Sequence, residues 1–418
     1  MRLNLLDILQ CPYCGGSFKL DAGTSLLRGG EEVAHGVLRC PCATYPVVDG
    51  VPVMLAGYGG DGDFQRMLAT EPEQALHAML DLDDERRPIF KDLLARGDEV
   101  TYREWVGFFS PGPEGPYFIH RFANPTYLVG LAILRAVGSD PRLFSRWSID
   151  LCGGAGHLTR ALCQLSGGAN VVLTETNFWK LWLARRIVAP QCVTVCCDAE
   201  APLPFKRGAF SLAFCSDAFH YVWSKRLFAC EMMRLVGDNG AIVLNHIHNA
   251  LRENFSAGLP LAPEWWRNLF AEIGARLFKE SEALDGVIER REIDLTRDYS
   301  DEELNGQQAL FLIGSRLAPL APLDGLFRTY EVAAAGSSAR SLRLNPLYQY
   351  RQEGDYDVLR LQFPSQQYET EFEACKRYMP ERVELPPGAL KKIEGGQLDG
   401  GWRELAEHYV LLDLPDGY

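Results

Sequence analysis

Between residue 147 and about residue 316 the chain alternates short apolar runs with longer stretches of mixed character. The runs at 148–152, 170–174, 193–197, 211–215, 241–245 and 309–314 have strand length. They are apolar at successive positions rather than at every second one, as in strands covered on both faces of a parallel sheet. Their alternation with helical stretches predicts a doubly wound α/β domain. Upstream, residues 64–96 interleave charged and apolar positions with few breakers and predict helix. The Pro/Gly-rich stretch 110–116 interrupts that pattern, and a further helix is predicted over 125–136. Residues 45–55 predict two short strands around an Asp49-Gly50 turn, followed by a Gly-rich linker at 57–63. The last hundred residues break the α/β rhythm with Pro/Leu-rich stretches, an Ala/Gly/Ser-rich segment at 333–338, a strand-like run at 357–363 and a final run at 407–414. The expected organisation is a cysteine-rich domain (1–57), a helical linker or cap (58–140), a nucleotide-binding domain (141–318) and an α+β accessory region (319–418).

Composition narrows the function more than the fold. The 418 residues are 47% hydrophobic and 23% charged, an ordinary globular mixture. The formal net charge of −13 argues against a protein that lives by gripping phosphates. No apolar run approaches the ~20 residues that cross a bilayer, and the start lacks a signal-peptide core. A cytoplasmic setting is expected. Four of the twelve cysteines fall in the first 42 residues in metal-ligand spacing; the other eight are expected as reduced thiols packed in apolar surroundings.

The segment Asp150-Leu-Cys152-Gly153-Gly154-Ala-Gly156 follows the first apolar run and opens a helix. Glycines there let the backbone turn tightly and approach a ligand. Glu175 ends the next run nineteen residues after Gly156, close to the offset at which an acid meets ribose hydroxyls. Asp198 and Ala199 follow the third run, where an Asp can accept from an adenine amino group. Ser216 and Asp217 follow the fourth. This ordered set resembles the class I S-adenosylmethionine (SAM)-dependent methyltransferases over roughly residues 120–250. A dinucleotide enzyme would instead show Gly-x-Gly-x-x-Gly. The resemblance implies that Asp150, Gly153, Gly154, Gly156, Glu175, Asp198, Ala199 and Ser216 line the cofactor site. Cys152 stands where the family usually has glycine, which puts close backbone approach there in question.

Cys11-x-x-Cys14 and Cys40-x-Cys42, separated by twenty-five residues, fit two knuckles around a tetrahedral Zn²⁺. With the stretch through Pro52 they resemble the zinc-ribbon family that includes the activator subunit of tRNA and protein methyltransferases, over about residues 3–56. A closed four-thiolate site is structural rather than catalytic.

Asn245-His246-Ile-His248-Asn249 lies where the fifth run leaves the sheet, and in extended backbone the two imidazoles would share a face. Open α/β sheets bind ligands beyond the carboxyl ends of their strands, so His246 and His248 are the candidate catalytic bases or substrate anchors. His-x-His lacks a third ligand nearby in sequence, which ranks a metal role behind those two. His220, Tyr117 and Trp266 are candidate substrate-pocket residues, and Arg121, beside Tyr117, a candidate cofactor contact. The expected activity is methylation of a small-molecule acceptor, with oxygen favoured. An RNA or protein methyltransferase using the ribbon to bind a partner, and a non-catalytic SAM-binding scaffold, are the alternatives. The terminal region is expected to cover the site or form a homodimer contact.

Overall fold

The computed structural model describes residues 1–21, 26–28, 31–168, 170–315, 326–332, 342–354, 356–394 and 402–418. The Ala/Gly/Ser-rich segment 333–338, most of the Pro/Leu-rich stretch near 320 and the expected 318/319 boundary lie outside them. Two compact units account for the chain. The first holds Met1–Gly97, Val137–Glu280 and Leu295–Arg328; the second holds Asp98–Ala136, Ser281–Asp294 and Thr329–Tyr418.

In the first unit, the N-terminal sheet comprises β1 (Lys19–Leu20), β2 (Leu26–Arg28), β3 (Glu32–Arg39), β4 (Thr44–Val48) and β5 (Val51–Pro52). The β4–β5 turn is Asp49-Gly50, with φ of 42° and 81°. Positive φ at both central residues is the tight hairpin turn that Asp-Gly favours. Helices at Gly62–Thr70, Pro72–Met79 and Arg86–Arg96 follow.

The main sheet comprises β6 (Trp147–Asp150), β7 (Val171–Glu175), β8 (Val193–Cys196), β9 (Phe210–Ser216), β10 (Ala241–His248), β11 (Arg276–Lys279) and β13 (Ala309–Ser315); β12 (Glu292–Asp294) belongs to the second unit. Its order is β11-β13-β10-β9-β6-β7-β8. Strands β6 to β10 run parallel, while β13 is antiparallel to both neighbours. Strands β6 and β8 are buried throughout, as their unbroken apolar runs require. The inserted antiparallel β13 departs from the dinucleotide-binding order, in which the sixth strand simply follows the fifth. All six predicted strand runs are strands; β11, four residues long, carries too little pattern to stand out.

The free edge of β8 is covered by the N-terminal domain. Val53 bridges Cys196 in parallel, and the Met54 N–H donates to the Cys196 carbonyl at 2.7 Å. An open edge strand is a template for aggregation, so covering it removes a liability. The hairpin tip docks on the helical stretch after β7. Trp182 Nε1 donates to Asp49 Oδ2 at 3.0 Å, and Arg185 donates to the Asp49 carbonyl at 2.5 Å.

The second unit holds helices at Tyr102–Phe109 and Glu114–His120 and a three-stranded antiparallel sheet of Tyr348–Glu353, Tyr356–Leu361 and Arg382–Leu385. The C-terminal Tyr418 stacks on Tyr102 at 4.7 Å, tying the end of the chain to the first of those helices. Among the described residues no helix is long and apolar enough to cross a membrane.

Candidate active site

The strand order reverses between β6 and β9, and in open α/β sheets the crevice beyond the strand ends at that point takes the ligand. Asp150 closes β6, is buried, and accepts from Thr159 Oγ1 at 2.6 Å. That bond ties the strand end to the helix His157–Leu165. Between them the glycine turn leaves no spare room. A Cβ on Gly153 would lie 2.6 Å from the Asp150 carboxylate, and Gly156 combines φ of 85° with Ala184 Cβ at 3.1 Å from where its own Cβ would stand. Cys152 takes left-handed backbone, φ 55°, where glycine is the comfortable residue. Its thiol is pushed well above the ordinary range by hydrogen bonding with Cys215, then by burial. It is therefore a neutral, apolar element of the turn.

Glu175 ends β7. Its Oε1 accepts from the Thr176 N–H at 2.8 Å and the Asn177 N–H at 3.2 Å. Asp198, two residues past β8, accepts from the Glu200 N–H at 2.8 Å, and Ala199 beside it is half-buried. Ser216 Oγ accepts from Asn245 Nδ2 at 2.9 Å, joining the exits of β9 and β10. The three acids thus stand at the exits of three adjacent parallel strands, and burial keeps the Cys196 and Cys197 thiols protonated between them.

A second cluster sits at the exits of β9 and β10. The β10–β13 register shifts between Leu244 and Ile247, and within that bulge His246 adopts φ of 54°. Bulges re-aim side chains beside functional sites. Here the two histidines converge through the bulge rather than through the even alternation expected of an extended strand: their Nε2 atoms lie 3.3 Å apart. His246 Nδ1 meets Glu280 Oε2 at 2.7 Å. His246 Nε2 lies 3.8 Å from Oδ1 of Asp217, itself at φ 56°. His220 stacks on His248 with centroids 3.7 Å apart and planes at 13°. It is 0% exposed, and neither ring nitrogen has a hydrogen-bond partner among the described residues. Burial, then the neighbouring His248, lowers His220 to about 3; burial, then His246, lowers His248 to about 4. Both rings are neutral near pH 7. Lys225, lowered to about 8 by burial, donates to the carbonyls of Phe219, His220 and Val222 and so fixes the backbone beneath His220.

Sequence reasoning named His246, His248 and His220, which the fold brings together, but not Glu280, which lies thirty-four positions downstream with no local signature. Of the two adjacent tryptophans, Trp266 is the inward one: it is 0% exposed and donates Nε1–H to the His248 carbonyl at 2.9 Å. It supports the site from the core instead of lining a substrate pocket, while Trp265 is exposed. Tyr117 and Arg121 belong to the second unit. There the Arg121 guanidinium donates to Asn124 Oδ1 and Thr126 and lies over the Tyr117 ring, so the pair is engaged within its own unit.

The four N-terminal cysteines converge, with Sγ separations of 3.7 Å (Cys11–Cys42), 4.0 Å (Cys14–Cys40) and 3.5 Å (Cys40–Cys42). Tetrahedral zinc with Zn–S near 2.3 Å requires about 3.8 Å between sulfurs. The cluster fits that ion.

Comparison with known proteins agrees with both halves. A family model described as a methyltransferase domain matches residues 149–240. A UPF0434 protein of Pseudomonas savastanoi pv. phaseolicola is 46% identical over 56 residues, 13% of this chain and 75% of that protein. Among solved structures, phosphoethanolamine N-methyltransferase 2 of Haemonchus contortus, determined with SAM, is 13% identical, covering 52% of this chain and 60% of that one with a TM-score of 0.36. Geranyl diphosphate C-methyltransferase of Streptomyces coelicolor is also 13% identical, covering 42% and 74% with a TM-score of 0.32.

Proposed function

We propose that this chain, which carries a methyltransferase domain at residues 149–240 and an N-terminal segment similar to UPF0434 proteins, uses SAM to methylate an oxygen of a small-molecule acceptor at the His246/His248 edge. The observation that carries this reading is the contact of His246 Nδ1 with Glu280 at 2.7 Å. An ionised carboxylate only accepts, so it holds the proton on Nδ1 and leaves the Nε2 lone pair toward His248. The Glu280–His246–His248 chain takes the proton from the acceptor hydroxyl, and the carboxylate offsets the positive charge that results.

Bound SAM supplies an electrophilic sulfonium methyl. The protein's part is to hold the reactants in line, which supplies much of the rate in a displacement. Asp150 orders the glycine turn through Thr159, Glu175 takes the ribose hydroxyls, and Asp198 with Ala199 takes the adenine edge. Ser216 fixes the strand exit between the cofactor and acceptor sides. Cys11, Cys14, Cys40 and Cys42 hold a structural Zn²⁺ that rigidifies the ribbon on the β8 edge.

The test is methyl transfer from labelled SAM to panels of small hydroxylated acceptors, tRNA and protein. Small molecules are expected to take the label; transfer to tRNA or protein alone would overturn the acceptor class. With an acceptor in hand, His246→Ala is expected to lower kcat by about 10²–10⁴-fold with SAM affinity unchanged. Undiminished turnover in both His246→Ala and His248→Ala would remove the base assignment.

A further inference from the structure

The His246/His248 pair meets a third ligand that its sequence neighbourhood does not contain. Asp217 leaves β9 as His246 leaves β10, and both hold left-handed backbone. Such conformations are strained for residues with a Cβ and persist only where the surroundings enforce them. Here they turn Asp217 and His246 toward one point beside His248, so that one oxygen and two imidazole nitrogens all lie within 4.8 Å of one another.

We propose that Asp217, His246 and His248 form a binding site for a divalent first-row transition-metal ion, separate from the ribbon's four cysteines. The spacing suits such an ion. Ligand atoms held tetrahedrally at 2.0–2.1 Å from a metal stand about 3.3–3.4 Å apart. His246 Nε2 lies 3.3 Å from His248 Nε2 and 3.8 Å from Asp217 Oδ1, and Asp217 and His248 stand within 4.8 Å of each other, so rotation of the Asp217 carboxylate toward His248 closes the set. The donor chemistry sets the class. Two imidazoles and one carboxylate suit zinc, iron(II), cobalt or nickel, whereas magnesium and calcium prefer oxygen alone.

Glu280 makes the arrangement more than three neighbouring side chains. A metal-bound histidine commonly donates its other ring N–H to a carboxylate, which fixes the tautomer and strengthens the ligand. His246 Nδ1 has that partner at 2.7 Å. His220, stacked on His248 and fully buried with neither ring nitrogen hydrogen-bonded among the described residues, places two further uncommitted nitrogens beside the set. Three protein ligands leave a fourth position open. The ion takes the His246 Nε2 lone pair that otherwise accepts from His248 and requires the His248 proton to sit on Nδ1, so occupancy converts the pair from base to ligand and presents an electrophile to whatever enters the open position.

The experiment is a cobalt(II) titration of the full, metal-stripped chain, followed by absorption spectroscopy and by metal analysis after gel filtration. Two equivalents are expected. One shows the sulfur-to-cobalt charge-transfer absorption of the ribbon; the other shows only weak ligand-field bands. Asp217→Asn and His248→Gln are each expected to lose the second equivalent and keep the first, whereas Cys42→Ser does the reverse. Glu280→Gln is expected to weaken the second site by about 10–100-fold. Circular dichroism and SAM binding report whether each variant is folded. Binding of only the thiolate-ligated equivalent by wild-type protein would overturn the proposal, as would a second equivalent that survives in both folded variants; the pair would then be a simple imidazole–imidazole hydrogen bond. Since the readout is stoichiometry rather than turnover, the outcome is independent of the acceptor and of the base assignment.

Discussion

Cys152, Asp217 and His246 are non-glycine residues in left-handed backbone at the exits of β6, β9 and β10. The penalty at Cys152 is about 1–2 kcal/mol relative to glycine, and glycine returns about 0.5–1 kcal/mol of it through the greater freedom of its unfolded chain. Cys152→Gly should therefore stay within about 1 kcal/mol of wild type. Cys152→Val should lose about 2 kcal/mol or more, since a β-branched residue tolerates positive φ worst. Urea-unfolding midpoints decide between this and a turn that is indifferent to its second residue. Glu175 carries a different expectation. If its carboxylate takes the ribose hydroxyls, Glu175→Ala should raise the Kd for SAM by about 10–100-fold, the worth of hydrogen bonds to a charged group. Unchanged affinity by isothermal titration, with only a lower Tm, would reduce Glu175 to a clamp on the Thr176 and Asn177 N–H groups.

At the scale of elements, the ribbon's hairpin tip joins the sheet domain through Asp49, whose carbonyl accepts from Arg185 and whose carboxylate meets Trp182 in a buried setting and Arg186 at 3.7 Å. Trp182 is 1% exposed, and its Nε1–H is met by Asp49. Removing the acceptor leaves a buried donor unsatisfied, at about 1–3 kcal/mol. Asp49→Ala also places alanine at φ 42°, whereas asparagine tolerates that conformation and still accepts. Asp49→Ala should thus destabilise by about 2–3 kcal/mol and Asp49→Asn by less than about 1 kcal/mol in equilibrium unfolding; equal losses would mean that charge, not the hydrogen bond, holds the tip. This contact also shows what the sequence can disclose. The Asp49-Gly50 turn is legible because its backbone requirement is local, and the six strand runs are legible because burial on both faces demands apolar residues in succession. The partner of the turn lies 133 positions away, and the mates of His246 lie on other elements. Asp217 comes into reach only because both residues take left-handed backbone, and Glu280 because β11 ends across β13 from the end of β10, Lys279 and Ile247 both pairing with Leu310. Local pattern encodes elements and turns, but side chains that meet across strand exits depend on register and bulges that hydrophobicity does not specify.

At the scale of the whole chain, the ribbon and the sheet domain fall within one compact unit and meet along β8, so the proposed zinc site should bear on the proposed cofactor site through that strand. Val53 and Met54 pair with Cys196, and Asp198, proposed above to take the adenine edge, stands two residues beyond. Structural zinc sites contribute folding free energy directly, because the metal binds the assembled ligands and not the unfolded chain. Cys11→Ser, which alters a buried thiol of the proposed zinc site, should loosen the ribbon, free the β8 edge and lower the melting temperature of this unit. It should also weaken SAM binding severalfold, since the loop carrying Asp198 loses the support of its edge strand. In wild-type protein, SAM at a hundred times its Kd should stabilise the folded state by about 2.7 kcal/mol. In the variant the same SAM concentration should give a smaller shift. Paired thermal melts and isothermal titrations separate the two effects. A variant that loses its ribbon metal and melts earlier, yet binds SAM with wild-type affinity, would show that the ribbon guards the sheet edge without helping to shape the cofactor pocket.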